Sequence, residues 1–193
     1  MKNKKRLGAM ALSSITLMSF TQIYFKMVEQ VPIEIESREV ELPQIKIEVA
    51  PIIINQQEMF LHALGMRESS NNYTVVNKWG YMGKYQFGKR TLKNLGYDVS
   101  RKEFLNSPYL QEQAMLDLLE HNKRILHSYI DIYEGTIVNG VKITESGILA
   151  AAHLGGPGNV KRYFKKGKQF KDGNGTKLTS YLTRFSGYNL NLN

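Results

Sequence analysis

The sequence predicts a mainly α-helical domain over residues 55–193, with little β-structure and with an N-terminal segment of different character before it. Apolar residues recur at helical spacing in several parts of this region, and helix-start signals such as Ser107-Pro108 precede them. A domain of about 140 residues buries enough apolar surface to fold without cross-links. The chain contains no cysteine, which excludes disulfides, thiol nucleophiles and cysteine-bound zinc.

Residues 1–25 are predicted to be a signal peptide or a membrane anchor. Basic residues between positions 2 and 6 precede an uncharged, largely apolar run that continues to Phe25. No A-x-A cleavage site follows, and the run is nearly long enough to span a bilayer, so anchoring in the inner membrane through residues 7–25 stays open. In both cases the basic residues before the apolar run predict that the rest of the protein is exported, to the periplasm or elsewhere in the cell envelope.

Residues 26–54 are predicted to form an extended linker. Apolar and acidic residues alternate between positions 33 and 42, a pattern that is compatible with a strand. Pro32, Pro43 and Pro51 interrupt the region, and proline removes the amide donor that a paired strand needs. The folded domain is therefore expected to begin near Asn55.

The first half of the domain is predicted to hold two helices on either side of a glycine-rich loop. Asn55 and Glu58 form a capping-box pattern before an apolar face at positions 59, 60, 63 and 64. This helix should end near Glu68, because the polar residues that follow favour a turn, and residues 69–90 are expected to form a loop with room for a small hairpin. Ser107 and Pro108 then open a long amphipathic helix.

The second half is predicted to contain a turn and three shorter helices. Asn139-Gly140 predicts a tight hairpin turn within residues 135–142. An apolar helix is expected over residues 144–153, and Asn159 is expected to cap another over residues 160–166. The last helix carries an i, i+3, i+4, i+7 apolar stripe, formed by Leu178, Tyr181, Leu182 and Phe185.

The charge distribution favours a polyanionic partner. The formal charge is +9, of which residues 1–25 hold +4 and residues 26–54 hold −3, so the helical domain carries +8. Nucleic acid, an anionic membrane surface and the bacterial cell wall are all compatible with a strongly basic domain. Export makes nucleic acid an unsuitable partner and favours the wall.

Glu68 is the candidate catalytic residue. It stands at the end of an apolar helix, directly before a polar turn. Desolvation at such a position raises the pKa of a carboxyl group and keeps it protonated near neutrality. Cleavage of a glycosidic bond needs such an acid to protonate the leaving oxygen. Most glutamates at helix ends are solvated surface residues, however, so this role depends on further motifs.

Two glycine-rich motifs provide candidate binding surfaces. Residues 80–88 (GYMGKYQFG) interleave aromatic rings with Gln86, which suits the apolar faces and hydroxyl edges of sugars, although an ordinary hairpin has the same composition. Residues 150–160 (AAAHLGGPGNV) combine small residues for close helix packing with glycines that bring backbone amides near a ligand. Neither motif matches a phosphate-binding loop.

In this order, the three segments resemble the superfamily of soluble lytic transglycosylases and goose-type lysozymes. The family pattern has E-S, then G-x-M-G-L-M-Q, then A-Y-N-A-G-P-G-x-V. Glu68-Ser69 matches the first motif, and residues 80–86 match the second with Lys84 and Tyr85 in place of Leu-Met. Residues 152–160 match the third with His153 and Leu154 in place of Tyr-Asn. The resemblance covers roughly residues 56–165.

The resemblance implies a lysozyme-like α-helical fold and a cleft for the alternating N-acetylglucosamine and N-acetylmuramic acid units of peptidoglycan. It implies that Glu68 acts first as acid on the bond between them and then as base on the muramoyl C6 hydroxyl, which yields a 1,6-anhydro product. The substrate's N-acetyl group can take the place of a second carboxylate. The implied substrate-binding residues are Ser69, Tyr81, Met82, Gly83, Tyr85, Gln86, His153, Gly155 and Gly156.

Alternatives remain open at the positions that depart from the pattern. In the family, a tyrosine at the position of His153 is thought to orient the glutamate, so the change allows water to replace the C6 hydroxyl, as in a lysozyme-type hydrolase. It also allows a peptidoglycan-binding envelope protein without catalysis. We expect a monomer with no cofactor and no metal, because His62, His121 and His127 lack ligand spacing. Residues 172–175 (DGNG) lack the rest of a calcium loop and predict a capped turn.

Overall fold

The computed structural model describes residues 55–192, so the predicted signal or anchor and the predicted linker lie outside the described residues. Within residues 55–192 the fold is mainly helical with a two-stranded sheet, which confirms the predicted class of a mainly α domain with little β. In chain order the elements are α1 (Gln56–Ser69), α2 (Lys89–Asn94), α3 (Arg101–Asn106), α4 (Pro108–Tyr133), β1 (Ile137–Val138), β2 (Val141–Lys142), α5 (Glu145–Gly155), α6 (Pro157–Lys166) and α7 (Leu178–Arg184).

Helix α1 begins and ends near the predicted positions. The Asn55 side chain caps its start by accepting hydrogen bonds from the amides of Gln57 and Glu58. Ser70, in the left-handed conformation, ends it by donating its amide to the carbonyls of the last turn. Of the predicted apolar face, Phe60 and Leu64 are fully buried, but Met59 is 48% exposed, so the prediction for that residue was wrong.

Helix α4 is the longest element, with 26 residues, and it starts at the predicted Ser107-Pro108 signal. Its buried face includes predicted apolar residues and also two polar ones, Gln111 and Asn122. Helices α2 and α3 were not predicted. Each has six residues, which is too few to produce a recognisable periodicity.

Helix α5 lies in the core, where it packs against α4, α6 and α7. Its residues from Ser146 to Ala152 are all buried. Small side chains allow close approach: a Cβ atom added to Gly147 would lie only 2.6 Å from the carbonyl oxygen of Leu182 in α7. The four predicted stripe residues are buried in this core, three of them in α7 and the fourth, Phe185, as its C-cap, which confirms that helix.

The connections between these helices partly follow the sequence signals. The predicted hairpin turn is confirmed, since β1 and β2 pair around Asn139 and Gly140, which both have positive φ angles as a type I′ turn requires. The cap expected at Asn159 was wrong. Helix α6 starts earlier, with Gly156 as N-cap and Pro157 at its first position. Proline is favourable there, because the first amide of a helix has no hydrogen-bond partner within the helix.

Within residues 55–192, no helix combines the length and the apolar character that a membrane span requires.

Candidate active site

A cleft of about 680 Å³ contains Glu68. It is bounded by the end of α1, by the loop that precedes α2, by the end of α5 and by a turn before α7. Its lining residues are Arg67, Glu68, Asn77, Trp79, Tyr81, Gln86, Phe87, Gly88, Thr91, Leu118, His153, Leu154, Asp172, Gly173, Asn174, Thr176 and Tyr181. The volume lies within the range of about 300–1,000 Å³ that is typical of small-ligand sites.

The Glu68 side chain is 15% exposed and is held by residues from two distant helices. The Tyr181 hydroxyl of α7 donates a hydrogen bond to Glu68 Oε1. His153 of α5 places Nε2 at 3.8 Å from the same oxygen. Both groups approach Oε1, and among the described residues no hydrogen bond to Oε2 is found.

The environment keeps Tyr181 protonated. Burial raises the pKa of its hydroxyl far above the ordinary value, and the negative charge and hydrogen bond of Glu68 raise it further. Tyr181 therefore acts as a permanent hydrogen-bond donor to the carboxyl group. It cannot exchange protons with a substrate near neutral pH.

His153 is held in its neutral form. Burial lowers the pKa of the imidazole, although the neighbouring Glu68 carboxyl acts in the opposite direction. The side chain is only 8% exposed and packs edge-on against Phe87. The backbone of Tyr85 also acts to raise the pKa of the ring, but burial is the larger effect. The 3.8 Å contact therefore places a neutral imidazole next to the Glu68 carboxyl group and is not an ion pair.

The glycine-rich segment brings two of the predicted binding residues to the cleft surface. Tyr81 is 46% exposed there, and Gln86 lies next to it on the lining. Met82 pairs with both Val76 and Phe87 and so folds the segment back on itself. Gln86 has a positive φ angle and donates its side-chain amide to the Gly83 carbonyl at 2.9 Å, which fixes the turn.

Six other predicted binding residues do not line the cleft. Met82 and Tyr85 are buried in the core. Ser69 donates its hydroxyl to the Lys84 carbonyl at 2.7 Å and so ties the end of α1 to the glycine-rich segment. A Cβ atom on Gly83 would overlap the Gln111 side chain, and one on Gly155 would lie 2.8 Å from Phe170. Gly156 is the N-cap of α6, so these six residues have structural contacts in the elements around the cleft and are not part of its lining.

Lys84 and Tyr85, which replace Leu-Met of the motif that the segment resembles, take part in a partly buried polar network. Lys84 Nζ lies 2.8 Å from Glu112 Oε1, and the Tyr85 hydroxyl donates to Glu112 Oε2 at 2.6 Å. The Tyr73 hydroxyl adds a third hydrogen bond at 2.7 Å. Burial alone would raise the pKa of Glu112, but the hydrogen bonds from Lys84, Tyr85 and Tyr73 together lower it below the ordinary value. Lys84 and Tyr85 thus anchor the segment to α4.

The turn before α7 forms one edge of the cleft. Asp172 Oδ1 accepts hydrogen bonds from the amides of Asn174 and Thr176, at 2.9 and 2.7 Å. This confirms the predicted capped turn at residues 172–175. Asp172 is the only carboxylate besides Glu68 in the cleft lining within residues 55–192, and one of its oxygens is committed to the turn.

Three parts of the lining were absent from the sequence interpretation. Tyr181 was predicted as part of the last helix but was given no role at the site, although a tyrosine hydroxyl inside an apolar stripe indicates a buried hydrogen-bond partner. Trp79 and Asn77 precede the recognised motif and lack a signal of their own. Within residues 55–192, no cluster of three or more metal-ligating side chains is found.

Comparison with protein-family models finds no match. Curated proteins and solved structures likewise include none that matches the chain.

Proposed function

We propose that this protein cleaves the glycan strands of bacterial peptidoglycan at the β-1,4 bond between N-acetylmuramic acid and N-acetylglucosamine, as a lytic transglycosylase. The observation that carries the proposal is a glutamic acid held by Tyr181 inside a sugar-sized cleft. The three ordered motifs that resemble soluble lytic transglycosylases and goose-type lysozymes support it. So does the cleft lining, where aromatic rings and amide or hydroxyl groups suit the faces and edges of a pyranose.

Glu68 performs both proton transfers in this proposal. Its carboxyl group protonates the glycosidic oxygen, the bond breaks, and the substrate's N-acetyl group stabilises the resulting cation. Glu68, now a carboxylate, removes the proton of the muramoyl C6 hydroxyl, which attacks C1 and closes the 1,6-anhydro ring. Tyr181 stabilises the carboxylate that exists between the two steps, because it remains a hydrogen-bond donor throughout.

The alternative is hydrolysis of the same bond by water. A hydrolase of the two-carboxylate type needs a second acid to activate water or to form a covalent intermediate. Asp172 is the candidate in the described cleft lining, but its Oδ1 is held by two backbone amides. This favours the single-glutamate reaction.

A peptidoglycan-binding envelope protein without catalysis is a second alternative. The reason to consider it is that His153 stands where the resembling family has a tyrosine that is thought to orient the glutamate. However, Tyr181 supplies a phenol hydroxyl to Glu68 from another helix, which is the contact that the replacement would otherwise remove. Export to the periplasm or cell envelope, anchoring through residues 7–25 and a monomeric state remain parts of the proposal that depend on the sequence.

The test is digestion of purified sacculi, with mass analysis of the released fragments. We expect fragments that end in 1,6-anhydro-muramic acid and resist borohydride, which reduces only a free reducing end. Glu68→Gln should lower the rate by about 10²–10⁴-fold, the usual contribution of general acid–base catalysis. Glu58→Gln, an exposed glutamate at the other end of α1, is the matched control and should have wild-type activity. Near wild-type release by Glu68→Gln would disprove the assignment, and fully reducible ends would make the protein a hydrolase.

A further inference from the structure

Trp79 is the single tryptophan of the chain, and half of it is exposed in the cleft. Tyr81, two positions later, is exposed to nearly the same extent. Covering an aromatic ring of this size removes a large apolar area from water, so a ligand that covers both rings gains binding free energy. Neither ring contacts Glu68 by hydrogen bonding, and their role is separate from the proton transfers.

The loop that carries the two rings is held in place before any ligand binds. Asn77 Oδ1 accepts hydrogen bonds from the amides of Trp79 and Tyr81, at 2.9 and 3.0 Å. The backbone closes the same loop, since the Asn77 amide donates to the Tyr81 carbonyl at 3.0 Å. The Tyr81 ring rests on Gly88, where an added Cβ would lie 3.1 Å from Cε1. Binding therefore costs little ordering of this loop.

The surroundings of Trp79 fit a sugar ring. Lys78 Nζ lies 4.4 Å from the ring centroid in a cation–π contact, and 48% of the Trp79 surface still remains exposed at the cleft. Gly173 adjoins the benzo ring: an added Cβ would make ordinary contact with Trp79 Cζ2 at 3.7 Å, and a larger side chain there would cover part of the ring. Asn174 and Thr176 add amide and hydroxyl groups to the same edge of the cleft.

We propose that Trp79 and Tyr81 form a sugar-binding subsite that stacks an N-acetylamino-sugar unit of the glycan strand, away from the bond that Glu68 cleaves. This inference rests on the proposed function, because it takes the ligand to be a glycan. The subsite holds the strand in register, so its loss weakens binding and leaves the chemical step at Glu68 intact.

The sole tryptophan makes the subsite directly observable. The probe is chitotetraose, the β-1,4-linked tetramer of N-acetylglucosamine, added to Glu68→Gln protein so that no turnover occurs. We expect a saturable change in tryptophan emission, which reports position 79 alone, with the same dissociation constant as calorimetry. In the Glu68→Gln background, Trp79→Ala should weaken the calorimetric affinity roughly tenfold or more, and Trp79→Phe should recover most of it.

Two further variants make the outcome unambiguous. Gly173→Leu keeps the tryptophan but fills the space beside it, so both the emission change and the affinity should fall. Tyr109→Ala removes an aromatic ring that is 74% exposed outside the cleft and should change neither. Calorimetric binding with unchanged emission and an unaffected Trp79→Ala variant would overturn the subsite, as would absence of chitotetraose binding. Muropeptide release by the wild-type protein tests the proposed function separately, so the two failures are distinguishable.

Discussion

The contact between Tyr181 and Glu68 predicts the effect of removing one hydroxyl group. In Tyr181→Phe the aromatic ring stays, and its packing against Phe185, the C-cap residue of α7, is preserved. What is lost is the donor to Glu68 Oε1. Since Tyr181 is 3% exposed, water has little room to replace the hydroxyl.

The magnitude follows from the change in charge on Glu68 during the reaction. A hydrogen bond to a neutral group contributes about 0.5–1.5 kcal/mol and one to a charged group about 1.5–3 kcal/mol. Only the difference, about 1–2 kcal/mol, separates the protonated acid from the carboxylate that it becomes, and only this difference affects the chemical step. At about 1.4 kcal/mol per factor of ten, kcat should fall about 5- to 30-fold, with a smaller change in KM.

The assay is the rate of muropeptide release as a function of pH for Tyr181→Phe and for a matched control. Loss of a donor to the charged form should also move the pH–rate profile towards higher pH. Tyr163→Phe is the control, because it removes a hydroxyl that is equally buried but has no partner among the described residues and lies outside the cleft. A kcat for Tyr181→Phe within twofold of wild type, with an unshifted profile, would refute the positioning role.

Three other measurements test the structure more broadly. Glu112→Ala should lower the free energy of unfolding by about 1.5–3 kcal/mol, because it removes the partly exposed carboxylate that pairs with the Lys84 ammonium. Glu120→Ala, from an exposed pair, should change the free energy of unfolding by less than about 1 kcal/mol. Burial lowers the pKa of His153, so the free energy of unfolding should decrease as pH falls below about 6.5. His153→Gln should remove this part of the pH dependence of stability, measured by denaturant titration. The same pH dependence in the variant and in the wild type would contradict the prediction. Turnover of sacculi should decrease between 0.1 and 1 M salt, because the screening length shortens from about 10 to about 3 Å and the attraction to an anionic polymer weakens. A rate that does not change with salt would exclude charge as a targeting device.

Local signals predicted most of the elements but not all of their boundaries. Two predictions that depend only on neighbouring residues were confirmed: the apolar stripe of the last helix at positions 178–185, and the start of the long helix α4 at Ser107-Pro108. The start of α6 was misplaced because Asn159 was preferred as a cap over Pro157, although proline at the first helical position is a signal of equal standing. Asn159 instead donates its side-chain amide to the Gly155 carbonyl at 2.8 Å.

The candidate site was harder to predict because its contacts join distant parts of the chain. Glu68 was selected from a motif, but its partner Tyr181 lies 113 residues later, and no pattern in the sequence pairs the two. The same holds for Lys84, which appeared as a departure from a family pattern until Glu112 on α4 explained it. A buried lysine needs a partner, but the sequence does not say which acid provides it.

The way in which Tyr181 reaches Glu68 connects the catalytic proposal to the packing of the core. Helix α7 approaches α5 closely because Gly147 has no side chain, and the Leu182 carbonyl occupies the space that a Cβ would need. Tyr181 precedes Leu182 by one residue, so this packing contact sets how far the phenol hydroxyl extends towards α1. His153 comes from the other end of the same helix α5. Helix α5 therefore contributes to the surroundings of the Glu68 carboxyl in two ways: it supplies His153 directly, and its small Gly147 allows the close approach of the α7 segment that carries Tyr181.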